Sequence, residues 1–132
     1  MIAVDTNILI RFLVKDDDAQ ASKVLERFKK AEVNKEIFFV ALLVVLEVIW
    51  VLESVYEYSR EEILSAIDCL TRLTILRFEN IDLIHDFLSL SEKSNHDLSD
   101  MLIGLCAKHN GCAYTITFDK KASRSSLFKM VH

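Results

Sequence analysis

The chain reads as an α/β protein, a three-layer α/β/α arrangement around a central parallel sheet of four or five strands. Three observations lead there. Short β-branched or apolar segments alternate with longer segments of helical periodicity, the pattern of strands joined by crossover helices. No hairpin signal separates any two strand-like segments, so the strands are expected to pair in parallel. Those segments are also continuously apolar, as strands covered on both faces are. A length of 132 residues suits one domain with its own core.

The elements follow in order. Residues 2–5 have the composition of a short buried strand, and Asp5, Thr6 and Asn7 then offer side chains able to cap a helix running to about Val14. Polar residues 15–18 break the chain. Residues 19–33 carry helical periodicity through Ala21, Val24, Leu25, Phe28 and Ala31. Residues 37–40 read as a second strand leading into a helix over 41–52. Ser59 and Glu62 form an S-x-x-E capping box, and the helix they open reaches about Leu73 with Ile63, Leu64, Ile67 and Leu70 on one stripe. Residues 74–78 are a third strand and 81–92 a helix. After the polar break at 94–97, Asp97 and Asp100 open a helix to about His109. Residues 112–117 form a fourth strand, 119–123 a short helix or turn, and 127–131 have the composition of a fifth strand.

Composition narrows the function classes. With 52% apolar and 27% charged residues and no low-complexity tract, the chain is expected to be ordered. Glu47 interrupts the longest apolar stretch, leaving either side too short for a bilayer, and Asp5 arrives before any leader-like apolar segment. A cytoplasmic protein without a membrane partner is the expectation. Proline is absent and Gly104 and Gly111 are the only glycines, so no glycine-rich phosphate loop can form, which excludes P-loop and dinucleotide-binding enzymes. A net charge of −4 argues against polyanion binding by the whole surface. Cys69, Cys106 and Cys112 lack C-x-x-C spacing and are expected to be reduced and buried. His85, His96, His109 and His132 lack zinc-site spacing, and His96 is expected at the surface. Trp50, Phe87 and Phe118 are expected to pack in the core.

Four carboxylates stand at or inside core-forming segments: Asp5, Glu47, Asp100 and Asp119. A carboxylate in an apolar setting is costly unless paired, hydrogen-bonded or metal-bound. Taken singly, Asp5 could cap a helix, Glu47 could pair with an arginine and Asp119 could be a turn residue. Asp97 could likewise be an N-cap, three residues before Asp100 on much the same helical face. Taken together, the four are expected to converge beyond the carboxyl ends of parallel strands, where such sheets place their sites. Oxygen donors of this kind suit Mg²⁺ or Mn²⁺, which activate water and neutralise phosphate without a nucleophilic side chain. Thr6, Asn7 and Thr117 are candidates for orienting the carboxylates. Arg11, Lys15, Lys120, Lys121 and Arg124 are candidates for gripping a nucleic-acid backbone, with Lys129 nearby in the same basic run.

Residues 1–11 (MIAVDTNILIR) resemble the opening of the PIN-domain ribonucleases, especially the VapC-type toxins of toxin–antitoxin pairs. Residues 46–52 (LEVIWVL), 97–103 (DLSDMLI) and 117–121 (TFDKK) are similar to that family's second, third and fourth acidic motifs, in the family's order. The resemblance implies that Asp5, Glu47, Asp100 and Asp119 are the metal-binding catalytic quartet and Asp97 an auxiliary acid. It further implies Mg²⁺- or Mn²⁺-dependent RNA cleavage, a homodimer, and a cognate antitoxin whose C-terminal segment blocks the site. The chain departs from the family pattern in having Val44 and Val45 where a hydroxyl side chain is common. A competing reading is a catalytically silent module of the same fold that binds RNA or protein. A phosphoacceptor domain would need an aspartate after the third strand, where Glu79 stands.

Overall fold

The chain passes from the first strand into the first helix through a polar cap. In the computed structural model, which describes residues 1–131 and leaves His132 outside, strand β1 (Ile2–Ala3) leads to Asp5, whose Oδ1 accepts the amide of Thr6 at 2.7 Å. Helix α1 (Thr6–Val14) starts there and ends at Lys15, held at φ 58°. Asp17 caps α2 (Asp18–Asn34) by accepting the Gln20 amide at 3.0 Å. Arg11 ties this corner together. Its guanidinium donates to Gln20 at 2.6 Å, Asp16 at 2.9 Å and the Tyr56 hydroxyl at 3.2 Å, while that hydroxyl donates to Asp16 at 2.9 Å.

Strand β2 (Phe38–Val40) feeds α3 (Leu42–Ser54), followed by α4 (Arg60–Thr71) and β3 (Leu76–Phe78). Ala41 cannot cap α3 with its own side chain. Glu79, just past β3, does so by accepting the Leu42 amide at 3.0 Å, while its own amide donates to Val40 at 2.9 Å. The capping box of α4 is complete, with Ser59 and Glu62 each accepting the other's backbone amide. The strands pair in parallel in the order β1-β2-β3, with Ile2 opposite Phe38 and Phe39 opposite Arg77. Leu9, Ile10, Ile49, Leu52, Ile63 and Ile67 are fully buried in this first unit, which ends at Ile81.

The second unit, from Asp82 onward, begins within helix α5 (Ile81–Glu92) and continues through α6 (Leu98–His109), β4 (Thr115–Thr117), a 3-10 turn (Ala122–Arg124) and β5 (Phe128–Met130). Strands β4 and β5 are parallel, with Ile116 opposite Lys129. His109 and Asp86 join α6 to α5 at 2.8 Å. Gly111, at φ +89°, turns the chain away from α6 in the left-handed region that glycine tolerates. Gly104 has the opposite reason: a methyl there would sit 2.9 Å from both Leu127 Cβ and the Phe128 ring, so the helix backbone lies close against β5.

The α/β class and the parallel pairing match expectation; the five strands divide as three in the first unit and two in the second. Two strands start late for local reasons. The Leu76 amide bonds back to Leu73, so residues 74 and 75 form a turn, and the Cys112 amide bonds back to Ala107, so residue 112 still belongs to the exit of α6. One face of β2 is covered, with Phe38 and Val40 buried, while Phe39 on the other is half-buried, and Ile2 and Ile116 are exposed. The aromatic expectation holds for Phe87 and fails for Trp50 and Phe118, which are exposed. The cysteines are free, as expected, yet Cys69 and Cys112 are exposed and Cys106 half-buried. Among the described residues, no helix is long and apolar enough to cross a membrane.

Gly104→Ala is expected to lower the unfolding free energy by about 1–3 kcal/mol, the usual cost of overpacking a fitted contact. Thermal unfolding checks it, with Gly111→Ala as a control for substitution in open space at positive φ.

Candidate functional site

Helix α6 begins with two acids one turn apart. Asp97 is the N-cap and accepts the Asp100 amide at 2.9 Å, so the capping bond also fixes where Asp100 enters the helix. Asp119 is set by a turn after β4. Its Oδ1 accepts the amides of Lys121 at 2.8 Å and Ala122 at 3.4 Å, while its own amide donates to Thr117 Oγ1 at 3.0 Å. Thr117 thus meets Asp119 at its backbone amide and not at its carboxylate.

Asp97, Asp100 and Asp119 share a cleft of about 510 Å³ within the second unit, with Lys121 and Arg124 also in its lining. Burial pushes the Asp100 carboxyl above its ordinary range, and the charges of Asp97 and Asp119 push it further. This is the physical signature of acids gathered in one field. Neutralising that field is what a divalent cation does, and carboxylate oxygens suit a hard one; Mg²⁺ typically takes one or two carboxylates and fills its remaining positions with water and phosphate. The donor chemistry fits. Among the described residues, no three His, Cys, Asp or Glu side chains are gathered tightly enough to hold a metal ion by themselves.

The remaining expected residues lie in the first unit, apart from Lys120 in the second. Asp5 and Glu47 are both exposed, Asp5 as the cap of α1 and Glu47 on α3. Expecting four acids in costly apolar settings was thus too broad: Asp119 is exposed as well, and Asp100 is half-buried. An arginine partner for Glu47 is not found either, since the arginine ion pairs among the described residues go to Asp16, Glu36 and Asp68. Thr6 is buried and Asn7 exposed. Lys15 and Lys120 are exposed, whereas Arg11 is committed to its own corner, its charged form favoured by the Tyr56 hydrogen bond and then by Asp16.

Sequence reasoning missed two kinds of residue. Asn95, His96, Ser125 and Phe128 line the cleft; for His96, next to the acidic turn, contact with substrate was the second reading after a surface position. The polar break at 94–97 was the available signal, because a loop leading into a helix N-terminus borders whatever that terminus faces. Glu79 was missed as the cap of α3, because no local spacing announces a cap from 37 residues away.

With this geometry in place, the comparison with known proteins is direct. Residues 2–126 match the PIN domain family, and the chain belongs to it. Its α/β/α fold class follows from that membership together with the parallel strands described above. Over 132 residues, all of this chain and 96% of the other, it is 24% identical to a VapC ribonuclease of Aquifex aeolicus (strain VF5).

The raised Asp100 carboxyl has a consequence for stability. A carboxyl whose folded pKa lies above its unfolded value favours folding when protonated, and that contribution is lost as pH rises through the folded pKa. Asp100→Asn is therefore expected to raise the melting temperature at pH 7, with the gain shrinking as the pH falls below the ordinary carboxylate range. Calorimetry at the two pH values checks the sign; an equal or lower melting temperature at pH 7 contradicts it.

Proposed function

We propose that the protein is an Mg²⁺- or Mn²⁺-dependent endoribonuclease, the toxin of a VapBC-type toxin–antitoxin pair acting in the cytoplasm. The observation that carries this reading is the cleft of the second unit, where three acids in one electrostatic field share a lining with Lys121 and Arg124. Membership of the PIN domain family and likeness to a protein named VapC ribonuclease support it.

In this reading Asp5, Glu47, Asp100 and Asp119 would hold the metal, and all four serve the same activity. When bound, such an ion lowers the pKa of water and offsets phosphate charge. The chain's own residues do the positioning. Asp97 holds Asp100 through the helix cap, and Thr117 with the Lys121 and Ala122 amides holds Asp119. Thr6 donates its amide to Asp5, and Asn7 follows it in the first turn of α1. Lys121 and Arg124 grip phosphates of the RNA backbone, with Lys15 and Lys120 further out; such contacts position the strand without reading sequence. Arg11 contributes through the α1 corner that it ties. A homodimer and a cognate antitoxin partner complete the proposal, tested by sedimentation and by co-purification with the product of a neighbouring reading frame.

Asp5→Asn, Glu47→Gln, Asp100→Asn and Asp119→Asn are each expected to reduce Mn²⁺-dependent cleavage of an RNA oligonucleotide by more than the roughly 10- to 100-fold typical of losing an outer partner. Circular dichroism should be unchanged, and chelation should abolish cleavage by the parent chain. Undiminished cleavage by both Asp5→Asn and Asp100→Asn would refute the mechanism. RNA binding without Mn²⁺ binding or turnover would favour the silent module.

A further inference from the structure

Strand β4 presents a face that a buried strand would not have. Ile116 lies in β4 and Tyr114 and Phe118 flank it, and the exposure of the three rises toward the cleft, from 46% through 64% to 82%. Across the ladder, Lys129 stands opposite Ile116, and its Nζ lies 4.4 Å above the Tyr114 ring. Phe118 directly precedes Asp119, and Lys120 and Lys121 directly follow it. Two exposed rings thus flank an aliphatic side chain on a short strand, with cations beside them and the acid cleft at one end. Leaving three large apolar side chains in water is unfavourable, so the face calls for a covering surface.

Charge selects among possible occupants. The exposed lysines at 120, 121 and 129 and Arg124 make this part of a net-acidic chain locally basic, which suits a polyanion. A polyanion that also covers aromatic rings is a nucleic acid with unpaired bases, since a duplex keeps its base faces stacked inside.

We propose that Tyr114, Ile116 and Phe118 form a stacking platform for unpaired bases of an RNA strand. Lys129 and Lys120 hold its phosphates, and the platform delivers that strand to the cleft at Asp119. This rests on the ribonuclease reading and adds to it the residues that hold the substrate strand beside the cut. Phe118 touches the substrate base and sets which strand is accepted, while the acids carry the chemistry.

The test measures binding apart from cleavage. Fluorescence anisotropy in EDTA compares the affinity of the full chain for a labelled single-stranded oligoribonucleotide and for a blunt duplex of the same sequence. Single strand is expected to bind more tightly. Phe118→Ala and Phe118→Leu should each weaken it by about tenfold, in the range expected for one lost stack, while Phe118→Trp retains it and no variant shifts the melting temperature appreciably. The platform is overturned if the duplex binds equally well, or if Phe118→Ala binds single strand like the parent. It is also overturned if Phe118→Ala melts several degrees lower, which marks the ring as packed, or if it loses self-association in sedimentation without losing RNA, which assigns the face to a second copy. A separate assay of the parent chain with Mn²⁺ distinguishes the two readings: platform binding without turnover removes the nuclease and leaves the platform, whereas turnover indifferent to Phe118 does the reverse.

Discussion

The close approach of α6 to β5 at Gly104 is the constraint on which the second unit's cleft depends. The helix carries Asp97 and Asp100 at its start, and β5 pairs with β4, whose chain runs on into Asp119. A side chain at Gly104 would separate the two layers, because Leu127 Cβ and the Phe128 ring already occupy that space. Glycine inside a helix costs about 1 kcal/mol relative to alanine. Seating two acid-bearing segments around one cleft offsets that cost with a geometry that a larger residue cannot give.

Electrostatics and packing pull in opposite directions there. Burial and two like charges work against ionisation of Asp100, so the fold carries a charge that it would hold more easily as a neutral amide. The conflict stays local, since Asp5, Glu47 and Asp119 face water. Asp97 and Asp119 each earn part of their place structurally, one as a helix cap and the other as the acceptor of a turn. Such double duty lets a cluster of acids persist in a chain of only 132 residues.

The helices were legible because their signals are local. Ser59 with Glu62, Asp17 and Asp97 each act within three residues, and α5 has the bounds that periodicity predicts. Strand ends were less legible: residues 74 and 112 have strand-like neighbours, but bonds from Leu76 back to Leu73 and from Cys112 back to Ala107 hold them in turns. Exposure was the least legible of all. Trp50 and Phe118 have the same apolar character as buried Phe87, and nothing in a residue's type says which side of its element meets solvent. For the candidate site, Asp97, Asp100, Asp119 and the lysines after Asp119 stood out in the sequence, whereas Asn95, His96 and the capping role of Glu79 did not.

By itself the sequence determined the α/β alternation, the helix starts, the acids' positions along the chain and the lack of any glycine-rich phosphate loop, because each follows from residue type and short-range spacing. Only the tertiary structure decided that Arg11 is spent on Asp16 and Tyr56, that Glu79 caps α3, that burial works against ionisation of Asp100, and that Tyr114 and Phe118 beside β4 are exposed. Those outcomes depend on which groups distant in the chain come within a few ångströms of each other, and neither residue type nor short-range spacing encodes that distance.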